Sequence, residues 1–298
     1  MRRRLLLTAA ALAPFAVRAQ EPPPPPALPV AASFSILADL AQQVGGDAAA
    51  VASLVPPEGD AHAFQPRPSD LRVLQGAAVV IENGLGLDAW LTRLVRSSGF
   101  KGTRVVATEG IRPRSMAEAG RSVIDPHAWQ DPRLAAMMAR TIAAGLASAD
   151  PARAVLYRAR GEDFAARIME LDAAIERQVA TVPPANRQVI TSHDAFGYYG
   201  ARYGIRFQGV QGISTEAEPS ARDIARLAAQ IRRDRIRAVF VENMTDPRIA
   251  EAVAREAGAV VGGRVYSDSL SAPDGPAAPY LAMLRHNTAL FVAAMVAQ

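Results

Sequence analysis

The feature that most limits the fold of this chain is an alternation of short apolar runs with helix-spaced segments, interrupted once. Residues 149–182 contain no strand-like run and no proline after Pro151. Apolar side chains recur there at Val155, Leu156, Phe164, Ile168, Met169, Leu171, Ile175 and Val179, a spacing that predicts a helix. One helix of roughly 30 residues would be about 45 Å long. Its heptad register is not clean, which argues against a coiled coil and for a rigid connector between two lobes. Gly161 reads as a local weak point, costing about 1 kcal/mol against alanine.

On either side of this helix the same plan repeats. Residues 28–148 should hold strands over Pro29–Ser33, Ala49–Val55, Ala77–Ile81 and Thr103–Ala107. Helices are expected over Phe34–Val44, over Asp70–Gln75 capped by Ser69, over Asp88–Arg96, and from Asp131-Pro132 to Ala147. The polar stretch Glu109–Ile124 reads as a mobile surface loop. Residues 183–298 should hold strands over Gln188–Thr191, Ile205–Val210, Ala238–Glu242 and Ala259–Tyr266. Helices there are expected over Asp194–Tyr203, from Ser220 to Arg232, from Asp246-Pro247, and over Pro276–Ala297. Repeated strand, loop and helix predict an α/β fold of two lobes, each a parallel four-stranded sheet covered by helices.

The first nineteen residues read as an export signal. Arg2-Arg3-Arg4 precede an apolar run, Leu5 to Val17, too short to span a bilayer. Cleavage is expected near Ala19, by the general or the twin-arginine route. Residues 20–27, with Pro22 to Pro26, should form an extended tether. The formal charge of +4 is carried by this leader. Four of the 33 Lys and Arg lie within it, and the remaining 29 match the 29 Asp and Glu. The rest of the chain therefore has no global attraction for nucleic acid. Cysteine is absent, so there is neither a disulfide framework nor a lipid-attachment thiol after the leader. A soluble periplasmic monomer is the expectation.

Four histidines are present. In Val189-Ile190-Thr191-Ser192-His193-Asp194, His193 follows a strand, where open α/β sheets bind ligands. His62 lies in the turn-rich loop Pro56–Pro66, and His127 lies ahead of a helix. Three imidazoles delivered to such loops suit a borderline-soft metal ion. A carboxylate would complete a tetrahedron; Asp268, just past the last strand, fits, and Glu242 competes with it. Asp60, Asp125, Asp194 and Glu216 are candidates to hold the second ring nitrogens. His286, inside the terminal helix, reads as structural.

The chain resembles the solute-binding components of metal-specific ABC transporters, which capture zinc or manganese. Six motifs in order carry the resemblance. The first three are Gly59-Asp60-Ala61-His62-Ala63-Phe64-Gln65-Pro66, Glu82-Asn83-Gly84-Leu85-Gly86-Leu87-Asp88-Ala89-Trp90-Leu91 and Asp125-Pro126-His127-Ala128-Trp129. The others are Thr191–Tyr199, Gly212–Ser220 and Tyr266-Ser267-Asp268-Ser269-Leu270. The resemblance implies two α/β lobes on a long connecting helix, with His62, His127, His193 and Asp268 as metal ligands. It also implies delivery to a membrane permease. Members that look manganese-specific tend to carry glutamate at the position of His193; histidine there favours Zn²⁺, with Mn²⁺ or Fe²⁺ as alternatives. Many zinc-binding relatives carry a histidine-rich loop where Glu109–Ile124 has no histidine. Two readings from other classes are a zinc hydrolase and a metal-stabilised adhesin. The four-ligand set leaves no open position for catalytic water, and no His-Glu-x-x-His pattern is present.

Overall fold

The computed structural model describes residues 26–118, 121–216 and 220–297. The expected leader and most of the tether lie outside these residues. The first lobe opens with β1 (Leu28–Phe34), α1 (Ser35–Gly45), β2 (Ala49–Val55), α2 (Pro68–Gly76), β3 (Val79–Glu82), α3 (Ala89–Ser98) and β4 (Thr103–Val106). Its sheet is parallel, in the order β2-β1-β3-β4. Every residue of β3 is buried, as expected of a parallel strand covered on both faces. Helix α1 buries Ile36, Leu37, Leu40, Ala41 and Val44. It ends at Gly46, whose φ of 55° lies in the left-handed region. Helix α2 starts one residue before Ser69, and the Asp70 carboxylate accepts the Arg67 N–H at 2.6 Å. Asp70, not Ser69, therefore satisfies this end of the helix.

The stretch expected to be a mobile loop contains an antiparallel hairpin, β5 (Arg114–Glu118) and β6 (Arg121–Asp125). Its polar residues give no hydrophobic alternation to read. What holds it is cross-strand pairing and docking: Arg114, opposite Asp125, donates its backbone N–H to Tyr198 Oη at 2.9 Å. A 3₁₀ turn, Ala128–Gln130, leads to α4 (Pro132–Ala149). There Asp131 accepts the Arg133 N–H at 2.9 Å, and Pro132 occupies the first turn.

The long helix is α5 (Ala154–Ala180), 27 residues, or about 40 Å. It begins later than Ala149 because Asp150 precedes a proline and leaves the helical region. Its buried face carries Tyr157, Phe164, Ala165, Ile168, Leu171, Asp172, Ile175 and Val179. Val155, Leu156 and Met169 face solvent instead. Gly161 is not a weak point but a close approach: a Cβ there would lie 2.6 Å from the Ala143 Cβ of α4. The helix touches both lobes. Arg160 donates to Gly45 O at 2.6 Å in the first, and Asp172 accepts from Tyr203 Oη at 2.7 Å in the second.

The second lobe contains β7 (Gln188–Thr191), α6 (Gly197–Tyr203), β8 (Arg206–Gly209), α7 (Ala221–Asp234), β9 (Ala238–Glu242), α8 (Pro247–Ala257), β10 (Val260–Val265) and α9 (Tyr280–Val296). Its sheet is parallel, in the order β10-β9-β7-β8. Ser220 and Asp246 cap α7 and α8 by accepting the N–H groups of Asp223 and Arg248. Two helices start later than expected. Residues 194–196 stay outside the helix because Asp194 bonds across to β8, accepting the Gly209 N–H at 2.5 Å. Helix α9 waits until Tyr280 because Pro279 biases Ala278 away from the helical region. One apolar cluster runs from Phe34 and Trp129 through Tyr280 to Phe240 and Phe291, so the lobes are packed against each other; a second cluster, including Leu227, Ile231, Val239 and Val253, lies within the second lobe.

Candidate metal centre

Each candidate donor is presented by a loop at the junction of the lobes. His62 lies between β2 and α2, His127 between β6 and α4, His193 after β7, and Asp268 after β10. The structure brings all four together: one donor atom from each lies within 4.8 Å of the others. His62 Nε2 is 3.2 Å from His127 Nε2 and 3.1 Å from Asp268 Oδ2. His193 Nε2 is 3.1 Å from Asp268 Oδ2, and His127 Nε2 is 3.5 Å from Asp268 Oδ1. A tetrahedral ion with bonds of about 2.0–2.1 Å has donor–donor edges of about 3.3–3.4 Å. These four separations bracket that edge.

The polar atoms are costly where they stand unless something fills the space between them. His127, His193 and Asp268 are fully buried. Both Asp268 oxygens and both ring nitrogens of His193 lack a hydrogen bond of good geometry, and such orphaned groups are rare in protein interiors.

Two of the rings are braced from behind. His127 Nδ1 lies 2.8 Å from Asp125 Oδ1, which also accepts the His127 N–H at 3.0 Å. His193 Nδ1 lies 2.6 Å from Glu242 Oε2, while Glu242 Oε1 accepts the His193 N–H at 2.8 Å. Ser267 donates to Glu242 Oε2, and the Ser192 hydroxyl accepts the Glu242 N–H at 3.1 Å. Glu242, which competed with Asp268 in the sequence, thus stands behind a ring, outside the donor cluster. Asp60 holds its own loop, accepting the His62 N–H at 2.8 Å. Asp194 braces the turn toward β8, and Glu216 is an exposed residue whose N–H points at Ser214 Oγ. His286 lies on α9, with Nε2 3.0 Å from Arg264 O.

Sequence reasoning overlooked Trp129 and Gln130. Trp129 Nε1 and Gln130 Nε2 both donate to Ser267 O, at 2.8 and 2.7 Å, tying the His127 loop to the Asp268 loop across the lobes. The Asp125-Pro126-His127-Ala128-Trp129 motif was the only local signal.

Charge follows from this geometry. Burial alone would push His127 down, but the Asp268 and Asp125 carboxylates outweigh it and raise it to about 9. His193 is also buried, yet Glu242 and Asp268 hold it well above its ordinary value. Burial pushes Asp268 up, but the imidazolium charges of His127 and His193 bring it well below the carboxylate range. Without a metal, protons on the rings supply the positive charge this cluster demands. A divalent cation would replace them.

Comparison with known proteins places the chain in a family. The family described as zinc-uptake complex component A, periplasmic (ZnuA), matches residues 30–294. The iron-binding protein YfeA of Yersinia pestis is 32% identical over 256 residues, covering 86% of this chain and 82% of that protein. The manganese-binding lipoprotein MntA of Halalkalibacterium halodurans is 30% identical over 269 residues, covering 90% and 88%. Among solved structures, the periplasmic zinc-binding protein TroA from Treponema pallidum superposes with a TM-score of 0.84 at 27% identity, over 89% of this chain and 98% of that one. The match across almost the whole described chain, on the two-lobe fold that carries the donor cluster, makes this protein a member of the zinc-uptake component A family of metal ABC transporter solute-binding proteins.

Proposed function

We propose that this protein captures a divalent metal ion, Zn²⁺, between its lobes and delivers it to the permease of an ABC transporter. His62, His127, His193 and Asp268 are the ligands in this reading. The observation that carries it is the set of buried, unpartnered donor atoms on His193 and Asp268, spaced for one tetrahedral ion. Three imidazole nitrogens and one carboxylate suit Zn²⁺ better than the harder Mn²⁺. The relatives are named for iron, manganese and zinc, so Mn²⁺ or Fe²⁺ capture is the second reading. Metal analysis of protein purified from its own periplasm, followed by competition of Zn²⁺ against Mn²⁺, tests the choice. A native Mn²⁺ load that Zn²⁺ fails to displace would overturn it.

The protein works here as a soluble periplasmic monomer, released by cleavage near Ala19. No helix among the described residues is long and apolar enough to cross a membrane, and the chain has no cysteine to carry a lipid. The units of this reading are a lobe over 28–148, a connector over 149–182 and a lobe over 183–298. Because four side chains close the tetrahedron, binding rather than catalysis is its chemistry. A hydrolysis abolished by Asp268→Ala with metal affinity intact would favour an enzyme instead. Normal growth of a deletion strain under zinc chelation would favour an adhesin. The shared core and the long helix limit motion to loop shifts, so scattering profiles should be similar with and without metal.

A further inference from the structure

His62 is held differently from the other donors. The rings of His127 and His193 each have a buried carboxylate at Nδ1. Among the described residues, no hydrogen bond reaches His62 Nδ1, and its side chain alone of the four retains exposure, 8% against none for the other three. It borders an open cleft of about 840 Å³ walled by Phe64, Leu85, Trp90, Ile124 and Ile213. An ion leaving the cluster therefore passes His62 first, and the position of that ring is set by its loop.

That loop belongs to the first lobe but is fastened to the second. Trp90 Nε1 donates to Ala61 O at 3.2 Å within its own lobe. Asp60 divides its carboxylate: Oδ1 accepts the His62 and Ala63 N–H groups at 2.8 and 3.3 Å, and Oδ2 accepts from Thr215 Oγ1 at 2.6 Å across the cleft. Two residues earlier, Glu58 Oε2 accepts from Asn243 Nδ2 at 3.0 Å, and the Glu58 N–H donates to Leu270 O at 3.0 Å. Glu58 holds φ at 63°, in the left-handed region, a conformation that surrounding contacts must maintain. Asn243 follows Glu242, and Leu270 lies two residues beyond Asp268, so the strap is tied beside the partners of the other donors.

We propose that residues 56–66 form a strap, and that two of its side-chain clips, Thr215 on Asp60 and Asn243 on Glu58, set how fast the bound metal leaves. This inference rests on the metal-capture reading above. Thr215 and Asn243 are positioning residues, acting on the ion through His62. Each clip donates to a carboxylate, an interaction whose loss is worth about tenfold in an equilibrium or rate. Breaking a clip loosens the His62 loop while leaving His127, His193 and Asp268 with their own supports.

The test is the rate of Zn²⁺ loss from the full-length loaded protein, followed by stopped flow against excess chelator. Thr215→Val and Asn243→Ala should each raise the dissociation rate about tenfold, with association unchanged and one Zn²⁺ still bound. Thr215→Ser should restore the parental rate. In a His62→Ala background, which removes the ligand the strap positions, neither variant should accelerate loss further. Melting of the metal-free variants should match the parent, which separates loosened metal from a loosened fold. Dissociation within twofold of the parent in both variants overturns the strap and leaves metal capture standing. Equal acceleration with and without His62 overturns it too, as general loosening. If the parent protein binds no Zn²⁺ at all, the capture reading fails and the strap fails with it.

Discussion

Glu242→Gln distinguishes a brace from a ligand. In the structure, Glu242 accepts from the His193 N–H through Oε1 at 2.8 Å, while Oε2 lies 2.6 Å from His193 Nδ1 and also receives the Ser267 hydroxyl. Glutamine keeps the shape but replaces one acceptor oxygen with an NH₂ group that cannot accept. Either the His193 N–H loses its acceptor or an NH₂ group replaces the oxygen 2.6 Å from Nδ1, and the negative charge behind the ring is lost. Changes at such outer partners typically cost 10–100-fold in metal affinity, which is about 1.4–2.7 kcal/mol. Competitive titration against a chromophoric chelator at pH 7.5 measures this, with Asp268→Ala alongside. Asp268 places both oxygens in the donor cluster, so its removal should cost well over a hundredfold. Affinity within twofold of the parent for Glu242→Gln would refute the bracing role. A loss equal to that of Asp268→Ala would make Glu242 a ligand and refute the assignment of donors.

The remaining predictions concern protons, packing and linkage. In the metal-free protein His127 is raised from 6.5 to about 9 and His193 is raised well above its ordinary value, so a metal must displace protons from both; affinity should rise with pH from 6.5 to 9, as titrations in a pH series will show. The sign for folding is opposite. A raised histidine stabilises the metal-free protein below pH 6.5 and loses that contribution as pH climbs through about 9, while the lowered Asp268 contributes above 3.8 and is lost on acidification. Urea midpoints of the metal-free protein should therefore fall between pH 6.5 and 9; a flat profile would contradict the coupling. Gly161→Ala should destabilise by about 1–2 kcal/mol, because overpacking against Ala143 outweighs the gain in helix propensity; a higher melting temperature would refute the close approach. Zn²⁺ at a hundred times its dissociation constant should stabilise the fold by about 2.7 kcal/mol, and chelation should reverse the thermal shift.

Much of this architecture was legible residue by residue. Strands such as Val79–Glu82 and Ala238–Glu242 are buried along their whole length, so they appear in the chain as short apolar runs, each closed by one glutamate. Asp131-Pro132 and Asp246-Pro247 announce helix starts because capping is a local bond, closed within two residues. Three loop histidines in a chain with only four pointed to the metal cluster. What could not be read locally depends on partners far along the chain. Glu242 and Asp268 are both acidic residues at strand ends, and only the packing of β7, β9 and β10 put one behind the His193 ring and the other in front. The hairpin over Arg114–Asp125 is stabilised by docking on Tyr198 rather than by its own hydrophobic pattern. Gly161 looked like a helix flaw until Ala143 was seen beside it. Short-range pattern determined the elements and the donor types, because burial and capping act over a few residues. Tertiary structure alone decided which carboxylate enters the donor cluster, which one stands behind a ring, and which loop is hydrogen-bonded across the cleft, because those roles are distances between segments that the order of residues does not encode.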